Sequence, residues 1–396
     1  MRVGRGRGLP AVSPVMPRSP AEAAAWNPSR PEKTGMTSGV DAPRTERVRN
    51  EEEELMPVMQ KIGRFTVGLV AAGLMAAAPA YAAGDAVLEK IAVHSRAMEG
   101  NLEGNPADRD VLVFLPPNYK ADASKRYPVV YFLHGYFFDV VQYDTYAKFG
   151  EAVTAAAAKG NELILVVPDA GKTRFSGGMW SNSPTSGDFE GFVTKDLVSY
   201  IDSHYRTLAR PESRGLAGHS MGGYGTLRIA MKYPGIFSSF YALSACCLSA
   251  RQVNPEQDKK VEAMSMDERL KADFGTRAAL ASASAWSPNP QNPPYYFDWL
   301  TKDGVAQPEV VAQWAANAPN AMVAQYIPAL RTYKAIGMEV GDKDGLIKDD
   351  TEMHELLNRF GIKHDWAVFD GGHADKVAER IRDHTLPFFG AHLAKQ

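Results

Sequence analysis

Residues 214–230 read RGLAGHSMGGYGTLRIA, and the way this stretch must bend decides the fold. Gly215-Leu216-Ala217 is a short strand, and Tyr224 to Lys232 is a helix that stops at Pro234-Gly235. Between them stands Gly218-His219-Ser220-Met221-Gly222, followed by Gly223. A serine hydroxyl is a weak nucleophile until a base takes its proton, and it must stand clear of the backbone to reach a carbonyl carbon. A sharp strand-to-helix turn presents it in that way but crowds the positions two before and two after it, where glycine relieves the clash. G-x-S-x-G occurs by chance in long chains, so the strand before and the helix after carry the argument. Ser220 is the candidate nucleophile.

Outward from this turn, short apolar runs alternate with helical patterns, as in a mainly parallel sheet with crossover helices on both faces. Val111 to Leu115 reads as a strand stopped by Pro116-Pro117, and Pro128 to Leu133 as a central strand buried on both faces. Leu163 to Val167, Phe237 to Leu243, Ala335 to Val340 and Asp365 to Phe369 read as further strands. Helices are expected over Tyr146–Lys159 and Thr351–Phe360, and a last one from Asp375 through His384. The spacing of Phe189, Phe192, Val193, Leu197, Tyr200 and Ile201 gives another an apolar face. From about Arg251 to Pro328 there is no strand signal, several prolines interrupt, and aromatics gather at Trp286, Tyr295, Tyr296, Phe297, Trp299 and Trp314. This reads as a mostly helical insertion.

The N-terminal part stands apart. Met56 to Ala82 reads as a secretory signal peptide, with Lys61 and Arg64 at its start, an apolar run Phe65 to Ala78, and Ala80-Tyr81-Ala82 as a small-x-small cleavage site. The run falls short of the roughly 20 residues that span a bilayer, and no cysteine lies near the cleavage site. A periplasmic or secreted protein without a stable membrane anchor is expected. Met1 to Leu55 lacks apolar periodicity and reads either as a disordered arm or as an over-extended gene start ahead of Met56 or Met59. Residues 83–396 are long enough for one sizeable core and carry 33 Lys and Arg against 38 Asp and Glu, a net charge of −5. That balance argues against nucleic acid as a partner, because phosphate contacts need clustered cations. The adjacent Cys246 and Cys247 are read as two buried thiols at a strand end, not as a disulfide scaffold.

The chain resembles the esterase D branch of the α/β-hydrolases, which includes feruloyl esterases, S-formylglutathione hydrolases and the secreted mycolyltransferases. The resemblance rests on Leu133-His134-Gly135, Phe189 to Tyr205, Arg214 to Ala230 and Gly371-Gly372-His373, and it extends over about Arg109 to Phe389. It implies a three-layer α/β-hydrolase sandwich, with the helical insertion between the sixth and seventh strands as a lid. The chain order of such a fold is serine, acid, histidine. Among nine histidines, His219 adjoins the serine and turns away through the elbow, His354, His384 and His392 sit in helical patterns, and His364 opens the final strand. His373 alone occupies the loop after that strand, beside Gly371 and Gly372, which permit a tight turn. The family's G-x-x-D pattern after the seventh strand selects Asp344 in Gly341-Asp342-Lys343-Asp344, with Asp342 as its rival. A calcium loop here is rejected, because Leu346 replaces the oxygen ligand at the fifth position and glycine comes too early. The oxyanion donors implied are the backbone N–H groups of Met221 and Tyr136. By resemblance, Trp180, Asn182 and Glu190 are candidates for substrate contact. The activity expected is hydrolysis of a small-molecule or polymer-linked carboxylic ester through an acyl-enzyme, with no metal or cofactor. An acyltransferase using the same three residues and a non-catalytic binding protein remain as alternatives.

Overall fold

In β3 (Val129–Leu133), Val129, Tyr131 and Leu133 pack into one hydrophobic cluster while Val130 and Phe132 pack into another. Side chains along a strand alternate between faces, so an unbroken apolar run requires cover on both sides. The computed structural model describes residues 84–396, which form one compact unit around such a sheet. The segments read as an N-terminal extension and a signal peptide, 1–55 and 56–82, lie outside the described residues.

The sheet has eight strands: β1 Val87–His94, β2 Asp108–Leu115, β3, β4 Ile164–Pro168, β5 Arg214–His219, β6 Ser239–Leu243, β7 Ala335–Gly341 and β8 Asp365–Phe369. Their order is β1-β2-β4-β3-β5-β6-β7-β8. β1 and β2 run antiparallel to their neighbours, and β3 to β8 are mutually parallel. One face is covered by the helices Val140–Ala147 and Phe149–Ala158 and by the C-terminal helical stretch, through residues such as Phe149, Val153, Ile381 and Phe389. The other is covered by Phe192, Leu197 and Ile201 and by Leu227 and Met231 of the helix Met221–Lys232. This is the mainly parallel sheet with crossover helices that the alternation implied, in the three-layer arrangement that the resemblance implied.

Several details differ from the sequence expectation, each for a local reason. β1 carries no clear strand pattern because it is an edge strand whose outward residues are exposed, and Glu89 on its inner side accepts a hydrogen bond from the Tyr205 hydroxyl at 2.9 Å. The helix expected over Tyr146–Lys159 is two helices, parted at Lys148, whose φ of 52° is left-handed. The insertion lies between β6 and β7 and is mostly helical, as expected, but it also holds a two-residue hairpin, Thr301–Lys302 with Val305–Ala306, where Asp303 and Gly304 supply the positive φ of its turn. Among the described residues no helix is long and apolar enough to cross a membrane.

Candidate active site

Ser220 stands between β5 and the helix Met221–Lys232 with φ 57° and ψ −116°, a conformation that costs a non-glycine residue energy and persists only when its surroundings enforce it. Three backbone hydrogen bonds do so: Ser220 N–H donates to Leu243 O (3.0 Å), and Ser220 O accepts from Tyr224 N–H (3.0 Å) and Cys246 N–H (3.1 Å). The flanking glycines are obligatory. A Cβ on Gly222 would lie 1.8 Å from Leu133 O, and one on Gly218 would lie 2.2 Å from Gly222 O.

The loops after β7 and β8 bring the acid and the histidine to this elbow. His373 Nε2 lies 2.9 Å from Ser220 Oγ, and His373 Nδ1 lies 2.9 Å from Asp344 Oδ2. With Asp344 ionised, the network assigns the ring proton to Nδ1 and leaves Nε2 to accept from the serine. Burial works against the charge on Asp344, but hydrogen bonds from His373 and from Leu346 N–H outweigh it and hold the carboxyl below its ordinary range. Asp342, the rival acid, instead accepts from Gly371 N–H at 2.8 Å, while Asp342 N–H donates to Phe369 O and Lys343 N–H to Gly371 O. It joins the acid loop to the histidine loop.

His219 has a larger part than its position beside the serine suggested. It turns away from the hydroxyl, as expected, but its Nε2–H donates to the backbone oxygen of His373 (2.9 Å) and its Nδ1 accepts from the Tyr143 hydroxyl (2.8 Å). Burial, reinforced by the nearby His373, pushes its pKa down to about 3, so it stays a neutral bridge in a fixed tautomer. The Tyr146 hydroxyl also donates to Ala374 O. Nothing in the local sequence revealed this support, because it joins residues more than 70 positions apart.

The residues expected to supply the oxyanion donors, Met221 and Tyr136, line the same cavity as Ser220. Met221 opens the helix, where N–H groups and the helix dipole face an incoming anion. Tyr136 is anchored by its hydroxyl to Phe175 O (2.6 Å), and its neighbour Phe137 donates from its N–H to Ser176 O (3.1 Å). Neither the Met221 nor the Tyr136 N–H has an acceptor among the described residues.

These groups open into a cavity of about 570 Å³. Tyr136, Ser220, Met221, Asp344 and His373 line its floor, and the insertion roofs it with Val261, Phe274, Trp286, Trp299 and Trp314. Three of the six insertion aromatics thus reach the cavity, whereas Tyr295, Tyr296 and Phe297 do not line it. Cys246 and Cys247 are free, half-buried thiols with sulfurs 2.6 Å apart, and they line the cavity rather than sitting fully buried.

The proposed substrate contacts at Trp180, Asn182 and Glu190 are corrected by the structure. Trp180 is wholly buried behind the oxyanion loop, where its indole N–H donates to His134 O at 3.1 Å. Asn182 is exposed in a small hairpin with Asp188, away from the cavity. Glu190 is buried and ion-paired with Arg228 (2.6 Å) and Lys232, and it accepts from the Tyr233 hydroxyl. A buried carboxylate needs such partners, and they leave it no free face. Among the described residues no three His, Cys, Asp or Glu side chains are placed to share a metal ion.

Residues 105–377 match the family model described as "Putative esterase". Two esterases from strains of Mycobacterium tuberculosis are each 34% identical over 134 residues, covering 33% of this chain and 27% of theirs. A Xylanibacter ruminicola protein named endo-1,4-beta-xylanase/feruloyl esterase is 31% identical over 137 residues, covering 33% of this chain and 19% of that one. The chain thus matches about a quarter or less of the length of these relatives. Among solved structures, a ferulic acid esterase superposes with a TM-score of 0.57 at 20% identity, over 78% of this chain and 99% of that one. An S-formylglutathione hydrolase from Agrobacterium tumefaciens superposes with a TM-score of 0.53 at 16% identity, over 78% of this chain and 96% of that one. At such identities the likeness is one of fold.

Proposed function

The chain belongs to the esterase family whose model it matches, and on that premise we propose that it is an exported serine ester hydrolase acting through an acyl-enzyme on Ser220. The observation that carries this reading is the unbroken hydrogen-bonded line Asp344–His373–Ser220 beneath a largely apolar cavity.

Ser220 Oγ attacks the ester carbonyl carbon while His373 Nε2 takes its proton. The carbonyl oxygen becomes an oxyanion that the Met221 and Tyr136 N–H groups stabilise, as preorganised donors do when charge develops. Collapse breaks the bond to the alcohol, which leaves with the proton from His373. Water, deprotonated by His373 in turn, then attacks the acyl-enzyme and releases the acid and free Ser220. One ester and one water become one acid and one alcohol. Asp344 orients His373 and stabilises the imidazolium without being protonated itself. Export rests on the 56–82 segment, with cleavage after Ala82. Esters outside the cytoplasm, including acyl groups on polymers, are the substrate class consistent with that location.

The test is release of p-nitrophenol from short-chain acyl esters, together with labelling by a fluorophosphonate mapped to its residue by mass spectrometry. Turnover with the label on Ser220 supports the reading, and label elsewhere, or none with no turnover, overturns it.

A further inference from the structure

Two thiols stand in the cavity with the nucleophile, and ester hydrolysis at Ser220 uses neither. Cys246 and Cys247 are the only cysteines of the chain. Both are free and half-buried, and both line the cavity together with Ser220 and His373. Side chains of consecutive residues in an extended chain point to opposite sides. Here the backbone of Cys247 is left-handed, with φ 62°, and the two sulfurs lie 2.6 Å apart. A non-glycine residue holds such a conformation at a cost, and only where its surroundings enforce it.

The chain is fastened on both sides of the pair. Cys246 N–H donates to Ser220 O at 3.1 Å, and Ala245 N–H donates to Oδ1 of the buried Asp350 at 3.1 Å. Past the pair, Leu248 O accepts from Asn320 N–H at 2.9 Å, and Asn320 Nδ2 donates to Ser249 Oγ at 3.1 Å. The two sulfurs are thus held together in advance of any ligand. A direct bond between them is disfavoured, because neighbouring Cα atoms are about 3.8 Å apart, below the roughly 4.4–6.8 Å that a disulfide spans. One atom bonded to both sulfurs lengthens the bridge and removes that conflict. Hydrogen bonding with Cys247, together with burial, holds the Cys246 thiol well above its ordinary pKa, so it keeps its proton at neutral pH. The ligand suited to such a pair is a soft atom that takes two sulfurs and releases two protons.

We propose that Cys246 and Cys247 form a dithiol site that captures a trivalent arsenical, with one arsenic bonded to both sulfurs, and that the adduct closes the cavity to esters. With an arsenoxide, two S–H bonds and the arsenic–oxygen bond break, two arsenic–sulfur bonds form, and the oxygen leaves with both protons as water. Arsenic stays trivalent, so no oxidant or reductant is needed. The capture is independent of the role of Ser220, whereas the closure rests on the reading of Ser220 as the nucleophile.

The test is phenylarsine oxide added to reduced protein freed of reductant, with both thiols counted by titration. One arsenical per chain is expected by intact mass, removed by dimercaptopropanol and retained against mercaptoethanol. Hydrolysis of p-nitrophenyl acetate should be lost on capture and return with dimercaptopropanol, and fluorophosphonate labelling of Ser220 should follow the same course. Cys246→Ser and Cys247→Ser should each hold the arsenical about a hundredfold more weakly, because a single thiol loses the gain of a second, linked contact. Thermal unfolding checks both variants, and either one carries the test if the other does not fold. No adduct on the native protein, or equal retention by the single-thiol variants, overturns the dithiol site. An adduct that leaves hydrolysis and labelling unchanged overturns the closure. Capture as expected by a protein that hydrolyses no ester and takes no label overturns the Ser220 reading and supports the site.

Discussion

On the floor of the cavity, Ser220, Asp344 and His373 stand on loops leaving the ends of the parallel strands β5, β7 and β8; Ser220 and Asp344 are held by backbone hydrogen bonds and His373 by the His219 ring at its backbone oxygen. In the roof, Trp286, Trp299 and Trp314 sit in a segment of short helices and turns, held largely by contact with one another and with Arg251. The floor tolerates little change, because its geometry includes a strained serine and glycines that admit no Cβ. The roof fills volume, and its side chains can change size at smaller cost. On the proposed reading, the first region carries the chemistry and the second the choice of substrate.

Substitutions on the floor are the strongest attempt to break that comparison. Ser220→Ala and His373→Ala should each lower kcat on p-nitrophenyl acetate by about 10⁴-fold or more, with thermal unfolding showing that the fold persists. A roof substitution with an equal effect on kcat would end the distinction. Asp344→Asn should cost about 10³-fold in kcat by removing the charge that orients His373. Asp342→Ala should cost only about tenfold, because it supports a loop and touches no reacting group; equal losses at the two would overturn the assignment of the acid.

His219 tests whether the floor is held from beneath. His219→Gln should lower kcat about tenfold by loosening the His373 loop. It should also flatten the acid limb of stability. The folded-state pKa of His219 lies below its unfolded value of 6.5, so its contribution is complete above that pH and is lost as pH falls toward 3. Between pH 7 and 5 the loss amounts to about 2 kcal/mol, measurable by urea unfolding of the native protein and the variant at both pH values. The smallest effect belongs to the roof: Trp286→Ala should move the preferred acyl length upward by two or more carbons, read as kcat/KM across p-nitrophenyl acetate to decanoate. An unchanged length profile would mean that the roof does not meet the acyl group.

Much of this was legible in the chain. The strands β2, β3, β4 and β6 showed because burial demands continuous apolar runs, and the elbow showed because the crowding of a nucleophilic turn leaves its mark as glycines. β1 did not show, since an exposed edge strand satisfies only half of that pattern. Trp180 and Glu190 misled for the opposite reason: large or charged side chains near a site suggest contact with substrate, whereas one braces the oxyanion loop through His134 and the other neutralises Arg228 and Lys232.

What the sequence determined by itself was the layered sheet and the candidate nucleophile, encoded by residues close together in the chain, while the order of serine, acid and histidine came with the family resemblance. Only the tertiary structure set Asp344 rather than Asp342 against His373 and made His219 a neutral bridge to the His373 loop. Each of these depends on which atoms from distant segments come within hydrogen-bonding distance of one another. A side chain's role is then set by its partners and its burial, and neither is written in its neighbours along the chain.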